Sequence, residues 1–398
     1  MTGPGDPAPR FARSAPARAV GTIAGPAGQH TVKQHNRTLV LSRIAAAPGQ
    51  TRVQLADGTG LTRATISALV DELIGSDLVV ELPPAPARGR PASPLQLNPS
   101  GPAAIGIEIN VDHTSACVLD LSGVVRDRRT LPADNAASTP WAGLHRACQL
   151  ANALAESVNL PIAGVAVAVP GLVTASGEVH ETPNLPRWSG ADLRTPVGEM
   201  TGQTCVTVDN EANLAALAER WYGTRLTDFI YVSGEIGVGG GLVLNGELFR
   251  GVRGFAGEVG HVQVDPAGPL CGCGNRGCLE QVAGKSAVLR AASAANEDGL
   301  SRHAEAGDRR TLAALAQTST ALAVAVGAAI NVVDVPAVVL GGFYARVGNW
   351  LAEPLASELS RRLVSRSPTQ VRVSDLGAEA AMLGAAGSVV RRILAAAG

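Results

Sequence analysis

The sequence predicts an α/β chain, a two-lobed body carried behind an amino-terminal winged helix-turn-helix. Three observations predict it. Helical periodicity fills residues 31–77 and gives way to two short β-rich runs that end by residue 98. From Ala103 onward, apolar strand-like runs alternate with helical patterns. Charge is also divided: residues 1–100 hold ten Arg/Lys and six Asp/Glu, about +4, whereas the whole chain carries −1, leaving about −5 on the remainder. A basic amino end on an acidic body suggests a polyanion partner for one part only.

The first 30 residues are rich in Pro, Ala and Gly, with Arg10, Arg13 and Arg18 but no apolar core of a secretory signal, and read as a disordered tail. From Thr31 to Ala47 the apolar positions 32, 39, 40, 41 and 44 fit a helix ended by Pro48–Gly49. Thr51 can cap a short second helix, TRVQLADGT. Gly58 to Gly60 is the turn, and TRATISALVDELIGSD opens a third helix whose apolar stripe is Ile66, Leu69, Val70 and Leu73. Thr62, Arg63, Thr65 and Ser67 lie near its amino end, where a recognition helix meets base edges. LVVEL (78–82) and LQLN (95–98) then make a hairpin wing, so the winged helix-turn-helix spans residues 31–98. Its tip, Arg88–Gly89–Arg90–Pro91, suits the narrow minor groove of A·T-rich DNA. Arg52, Lys33 and Arg37 are candidate phosphate contacts, which position without specifying. A small helical adaptor would share the helices but does not account for polar residues clustered at the third helix start.

In the body, strand-like runs are AIGIEI (104–109), ACVLD (116–120), GVAVAVP (164–170), CVTVD (205–209), FIYVSG (229–234), GGLVLNG (240–246) and AVVLGG (337–342). Helical patterns fall at 210–221, 311–331 and 378–396. No run approaches 18 unbroken apolar residues, so no membrane span is expected. Cys117, Cys148 and Cys205 sit in apolar surroundings and read as small buried hydrophobes; with no framework of cysteine pairs, a reducing cytoplasm fits.

The chemistry concentrates between Gly254 and Gln281. Cys271, Cys273 and Cys278 form C-x-C-x4-C, and His261 stands ten positions ahead of the first. Three thiols and an imidazole are a closed donor set for a four-coordinate structural zinc, with no position left for a water. Spacing alone also fits three reduced cysteines in a Gly-rich turn. Glu258 and Glu280 flank the set, and a metal would fix both carboxylates as well. Rigid carboxylates facing a cleft can grip sugar hydroxyls.

GFAGEVGH followed by CGCGNRGCLE closely resembles the signature of the ROK family (repressor, open reading frame, kinase), over about three quarters of the chain. The resemblance implies an actin-like ATPase, sugar-kinase-like fold for residues 103–398, with lobes at roughly 103–225 plus the carboxy-terminal helix 378–396, and at 226–377. It also implies zinc on His261 and the three cysteines, and sugar contacts from Glu258, His261 and Glu280. PNLPRW (183–188) resembles the family's sugar loop, with Asn184 as the contact. VDNEAN (208–213) resembles its Asp-Asn-x-Ala-Asn run, which places Asp209 at the vestigial general-base position with Asn210 beside it.

The nucleotide side departs from the family pattern. Where kinases carry Asp, apolar, Gly, Gly, Thr, Lys, this chain has Glu108, Ile109, Asn110, Val111, Asp112 and His113. SGEIGVGGG (233–241) has Glu235 where Thr is usual, and VVLGGFY (338–344) has Phe343 in place of a third glycine. Bare glycine backbone lets phosphate oxygens approach the amides, and a carboxylate in that place repels them. The expectation is therefore a cytoplasmic sugar-responsive regulator, a repressor released from a double-stranded operator by a sugar or sugar derivative. It would be zinc-bearing, homodimeric or homotetrameric, and without kinase activity. An active sugar kinase with an accessory DNA-binding domain is the alternative.

Overall fold

The computed structural model describes residues 29–83, 93–365 and 368–396. Residues 1–28, most of the expected tail, and the wing tip with Arg88 and Arg90 lie outside the described residues.

The amino-terminal helices are α1 (Gln29–Ala46), α2 (Arg52–Thr59) and α3 (Arg63–Gly75). Thr51 caps α2 in a reciprocal box with Gln54, and Gly60 ends the helix in the left-handed conformation. Thr62 caps α3 by accepting from the Thr65 amide. Ile66, Leu69, Val70 and Leu73 are buried against Val40, Leu41 and Ile44 of α1. An antiparallel ribbon of β1 (Val79–Glu81) and β2 (Leu95–Leu97) completes the winged unit.

The body holds two five-stranded sheets. The first comprises β3 (Ala103–Ile109), β4 (His113–Leu119), β5 (Val125–Pro132), β6 (Ile162–Val169) and β9 (Val206–Asn210), in the order β5-β4-β3-β6-β9. Between the last two strands the chain makes a small hairpin, β7 (Leu172–Val173) and β8 (Val179–Glu181). Helices α4 (Pro140–Val158) and α5 (Arg194–Thr201) cover one face, and α6 (Glu211–Trp221) follows β9 directly. The second sheet comprises β10 (Phe229–Gly234), β11 (Val238–Leu244), β12 (Glu247–Leu248), β13 (Ala337–Gly342) and β14 (Gln370–Val373), in the order β12-β11-β10-β13-β14. Each sheet is an antiparallel meander whose first strand also pairs in parallel with a fourth, so one topology occurs twice, and the cleft lies between the copies. The inward strands β3, β10 and β13 are buried along their whole length, as strands covered on both faces must be.

Helices α7 (Leu279–Ala283), α8 (Lys285–Ala292), α9 (Glu297–Glu305), α10 (Arg309–Val333), α11 (Phe343–Arg346) and α12 (Gly348–Arg362) build the second lobe. The hydropathy and length of α10 would suffice for a membrane span, but 61% of that window is buried in the protein, where it packs on α8 and α12. Helix α13 (Ala380–Ala396) crosses back to the first lobe. It lies along α6 and β3 and also meets α1. The α13–α6 approach needs glycine: a Cβ on Gly384 would stand 1.8 Å from the Leu214 carbonyl oxygen. One apolar core thus runs from Leu41 and Ile44 of α1 through Met382 and Val389 of α13 to Leu214 of α6. Cys117 and Cys148 are buried as expected, whereas Cys205 is only half-buried.

Candidate sugar cleft and metal centre

The metal-type cluster is built by a loop and two short helical turns. Val259–His261 is a single 3-10 turn, and Cys278 precedes α7. One ligand atom from each of His261, Cys271, Cys273 and Cys278 falls within 4.8 Å of the others. Cys273 and Cys278 sulfurs are 3.7 Å apart, and the Cys271 sulfur is 3.7 Å from His261 Nδ1. A tetrahedron with zinc–sulfur bonds of about 2.3 Å has edges of about 3.7 Å, so donor set and spacing fit zinc. Glu280 Oε1 lies 2.9 Å from the Cys271 sulfur. His261 Nε2, the nitrogen turned from the cluster, lies 3.9 Å from Glu258 Oε2.

Beside this cluster opens a cleft of about 240 Å³ between the two sheets. Asn184, Asn210, Glu258, His261 and Glu280 all line it. Contributions from the two lobes nearly touch: a Cβ on Gly237 would meet Glu280 Oε2 at 2.8 Å and Asn184 Nδ2 at 2.9 Å. Asn210 is held firmly, donating to the Gly171 carbonyl and capping α6 by accepting from the Ala212 and Asn213 amides.

Asp209 departs from the sequence reading, which gave it a sugar hydroxyl as partner. It points to a neighbouring cavity and accepts two hydrogen bonds from Arg250, one of 3.0 Å from Nη1 and a shorter one from Nη2. The carboxylate in the cleft is Glu211, which the sequence reading missed. Asn210 turns the chain from strand into helix, so the acid after the cap faces the cleft and the acid before it faces away. An Asn cap followed at once by an acid was the available signal.

Burial, with Glu108 and Glu235 nearby, pushes Glu211 up to about 8. Its folded value lies above the unfolded one, so its ionisation opposes folding as pH rises from about 4.5 to about 8. Glu211→Gln is therefore expected to match the parent in thermal stability below that window. It should exceed the parent by up to about 5 kcal/mol above it, which melting curves from pH 4 to 9 will read.

The second cavity region, expected to be unsuited to phosphates, is crowded with charge. Asn110 is buried and donates to Glu108 and Glu211 at 3.3 and 3.4 Å. Glu108 Oε2 is buried with no hydrogen-bond partner. Asp112 Oδ1 lies 2.7 Å from His113 Nδ1. Burial would lower His113, but Asp112 and Glu108 prevail and hold it at about 10. Lys285 Nζ reaches Glu297 at 3.2 Å, Glu235 at 3.6 Å and, across the cleft, Asp112 at 3.8 Å. Burial, only partly offset by Lys285, pushes Glu235 up to about 7. Phe343, by contrast, is 1% exposed and packs in the second lobe's core, so its effect on the seat is to wall it rather than fill it.

A model of the ROK family matches residues 104–392. The chain belongs to the ROK family. It is 30% identical over 381 residues to the xylose repressor of Bacillus subtilis, covering 92% of this chain and 98% of that one. Its fold matches a crystallised ROK family transcriptional regulator, described as a homologue of the E. coli MLC protein, with a TM-score of 0.77 at 24% identity over 92% of this chain and 97% of that one. It also matches a ROK family glucokinase from Streptomyces griseus in complex with glucose and AMPPNP, with a TM-score of 0.66 at 25% identity over 73% and 99% of the chains.

At the amino end of this ROK chain, Thr62 and Arg63 are exposed at the start of α3, beside exposed Ala64 and Ala68. Thr65 and Ser67 are half-buried, and Thr65 Oγ1 lies 2.9 Å from Thr62 Oγ1. Arg37 donates to Ser76, and Lys33 pairs with Glu72. Arg52 is a correction. It bonds Asp71 at 2.8 Å, Glu81 at 2.9 Å and the Ser67 carbonyl at 3.1 Å, clamping α2 to α3 and the wing instead of facing outward as a phosphate contact would. Arg52→Ala is expected to lower the melting temperature by removing about 1–2 kcal/mol. Arg63→Ala should leave melting unchanged and weaken DNA binding in a gel-shift series.

Proposed function

We propose that this ROK chain is a sugar-responsive transcriptional repressor of carbohydrate genes, a cytoplasmic homodimer or homotetramer without ATP-dependent kinase activity. The observation that carries the reading is the combination, in one chain, of a winged helix-turn-helix and a carboxylate-lined cleft whose neighbouring phosphate seat is occupied by ion pairs of the protein itself. The repressor function of the Bacillus subtilis relative, which the chain matches almost end to end, supports it.

Zinc in the Cys3His set would act as a structural cross-link holding Glu258, His261 and Glu280 at the cleft wall. Asn184, Asn210 and Glu211 face them from the other lobe. A sugar bridging the two walls favours a closed cleft, and α6, which begins at the cleft floor, passes the change to α13 and α1 through the shared core. The winged units of a dimer then lose their match to the operator half-sites. Nearly complete release needs a roughly 10⁴-fold preference of sugar for the closed form. Arg63, Thr65 and Ser67, with the Thr62 cap, would meet the major groove, and Arg88 and Arg90 the minor groove.

A gel-shift series on the operator with glucose, xylose, mannose and N-acetylglucosamine tests the reading; DNA occupancy indifferent to every sugar counts against it. The likeness to a glucokinase with bound glucose and AMPPNP keeps one rival, an active kinase with an accessory DNA-binding domain. ATP turnover with the same sugars separates the two, and turnover above background would sink the non-catalytic reading. Glu108, Asp112 and Glu235 argue against the kinase, since each sets a carboxylate beside the place where phosphates would lie.

A further inference from the structure

Asp209 and Arg250 meet at the wall of a second cavity, of about 170 Å³, which shares no lining residue with the sugar cleft. It lies between the tip of the small hairpin, β9, α6, α13 and Arg250 of the second lobe. Its charge is opposite to that of the cleft. Glu181, Glu211, Glu235, Glu258 and Glu280 line the cleft with no Lys or Arg, whereas the second cavity is lined by Arg194, Arg250 and one acid, Asp209. Asp209 occupies Arg250 through Nη1 and Nη2. Arg194, the first residue of α5, makes no side-chain hydrogen bond or ion pair among the described residues. Its guanidinium lies close against the hairpin tip, because Gly177, at φ +83°, has no side chain there: a Cβ would stand 3.4 Å from Arg194 Nε and Nη2. Thr207 Oγ1, also in the lining, is buried and has no hydrogen-bond partner.

We propose that this cavity is a second ligand site, which takes a phosphate group, free or as a short monoester. Two guanidiniums against one carboxylate leave a net positive charge at the wall. A guanidinium presents its N–H donors in a rigid fork that matches phosphate oxygens. Arg194 offers all of its donors, and Arg250 those that Asp209 does not take. Thr207 adds a hydroxyl that would gain its missing partner. Thr174 and Ser176 bond each other at 2.8 Å, which leaves one of their two hydroxyl protons free for a ligand. These donors come from α5, β9, the hairpin and the second lobe, an arrangement that suits the tetrahedral oxygens of phosphate better than a planar carboxylate. At about six times the ~30 Å³ that a water occupies in the liquid, the cavity has room for a phosphate and a few carbons but not for a nucleotide. Arg250 comes from the second lobe and the other donors from the first, so a bound phosphate ties the lobes together outside the sugar cleft. Ser388 of α13 also lines the cavity, so its occupancy reaches the helix that packs on α1. The protein thereby reads a phosphorylated metabolite alongside its sugar. The site itself does not depend on the sugar-sensor reading; only this joint readout does.

Calorimetric titration of the full-length protein with inorganic phosphate and with glycerol 3-phosphate tests this, with acetate as the planar control. One equivalent of at least one phosphate probe should bind, and acetate should bind at least tenfold more weakly. Arg194 is exposed and unpaired, so Arg194→Ala should melt as the parent does yet lose at least tenfold in phosphate affinity. Asp209→Ala should shift the affinity the other way. It removes the one acid from the wall and frees Arg250, so phosphate should bind at least fivefold more tightly. Phosphate at about 10 mM should then return part of the melting temperature that this variant loses, as a ligand of the folded state must. Tighter binding of the ester marks a metabolite site and tighter binding of inorganic phosphate an ion site; either sustains the proposal. No binding of either probe, acetate binding as tightly as phosphate, or unchanged affinity in Arg194→Ala overturns it.

Discussion

Cys278→Ser is expected to abolish binding of the zinc proposed for the Cys3His set and to cost at least 100-fold in sugar affinity while operator binding survives. Cys278 is fully buried and stands at the start of α7, one residue from Leu279 and two from Glu280. Serine is a poor zinc ligand, and a structural zinc contributes on the order of 10 kcal/mol to the fold around it. Without that cross-link the 262–278 loop loses its anchor, and Glu258, His261 and Glu280 are free to move apart. The winged unit packs through α1 on α13 and shares no residue with the loop, so its DNA affinity should fall less than threefold. Metal content by mass spectrometry, sugar titration and gel shift on one preparation read all three effects. Full sugar affinity in a metal-free variant would show that the carboxylates are held by something other than the metal loop.

Asp209→Ala should be nearly as damaging, for a different reason. The Asp209–Arg250 pair joins β9 of the first lobe to the loop after β12 in the second. Hydrogen bonding to Asp209 outweighs burial and raises Arg250. Removing the carboxylate strands a guanidinium that is one-third exposed. A fully buried orphan charge costs about 3–5 kcal/mol, and partial exposure brings the expectation to ~2 kcal/mol. The same segment from Arg250 to Glu258 leads into the cleft wall, and Phe255 within it stacks on His180 of the first lobe's small hairpin. Loss of the pair should therefore weaken sugar binding about tenfold as well as stability. The reversed pair, Asp209→Arg with Arg250→Asp, should recover part of both. A single variant with parental melting and parental sugar affinity would remove the pair from any role in closure.

Local signals were the ones legible in the sequence. The caps at Thr51 and Thr62 depend on residues three positions away, so α2 and α3 could be read almost to the residue. The Cys/His set was legible for the same reason: three of its members fall within eight residues, and the fourth is joined to them by one loop. Non-local partners were not legible. Arg52 looked like a surface cation because Asp71 and Glu81 are remote in the chain, and Asp209 looked unpartnered because Arg250 is 41 residues on. Lys285 gave no hint that it would bridge the cleft to Asp112. Phe343 was read from a motif position, although its environment is the second lobe's core. Choosing between Asp209 and Glu211 required knowing where the strand stops, and one residue there reverses which way a side chain faces.

The place of α13 bears on when the protein can become itself. Its 17 residues come after every strand of both sheets in the chain, yet they cover β3 and α6 and touch α1, far back along the sequence. The first lobe and the winged unit must therefore wait, partly built and with apolar surface uncovered, until α13 has been made. Such delayed closure between distant parts of the chain slows folding and leaves intermediates open to aggregation. A prematurely terminated product should consequently fail at both ends together, and quality control would meet it as a misfolded whole rather than as a working DNA-binding fragment.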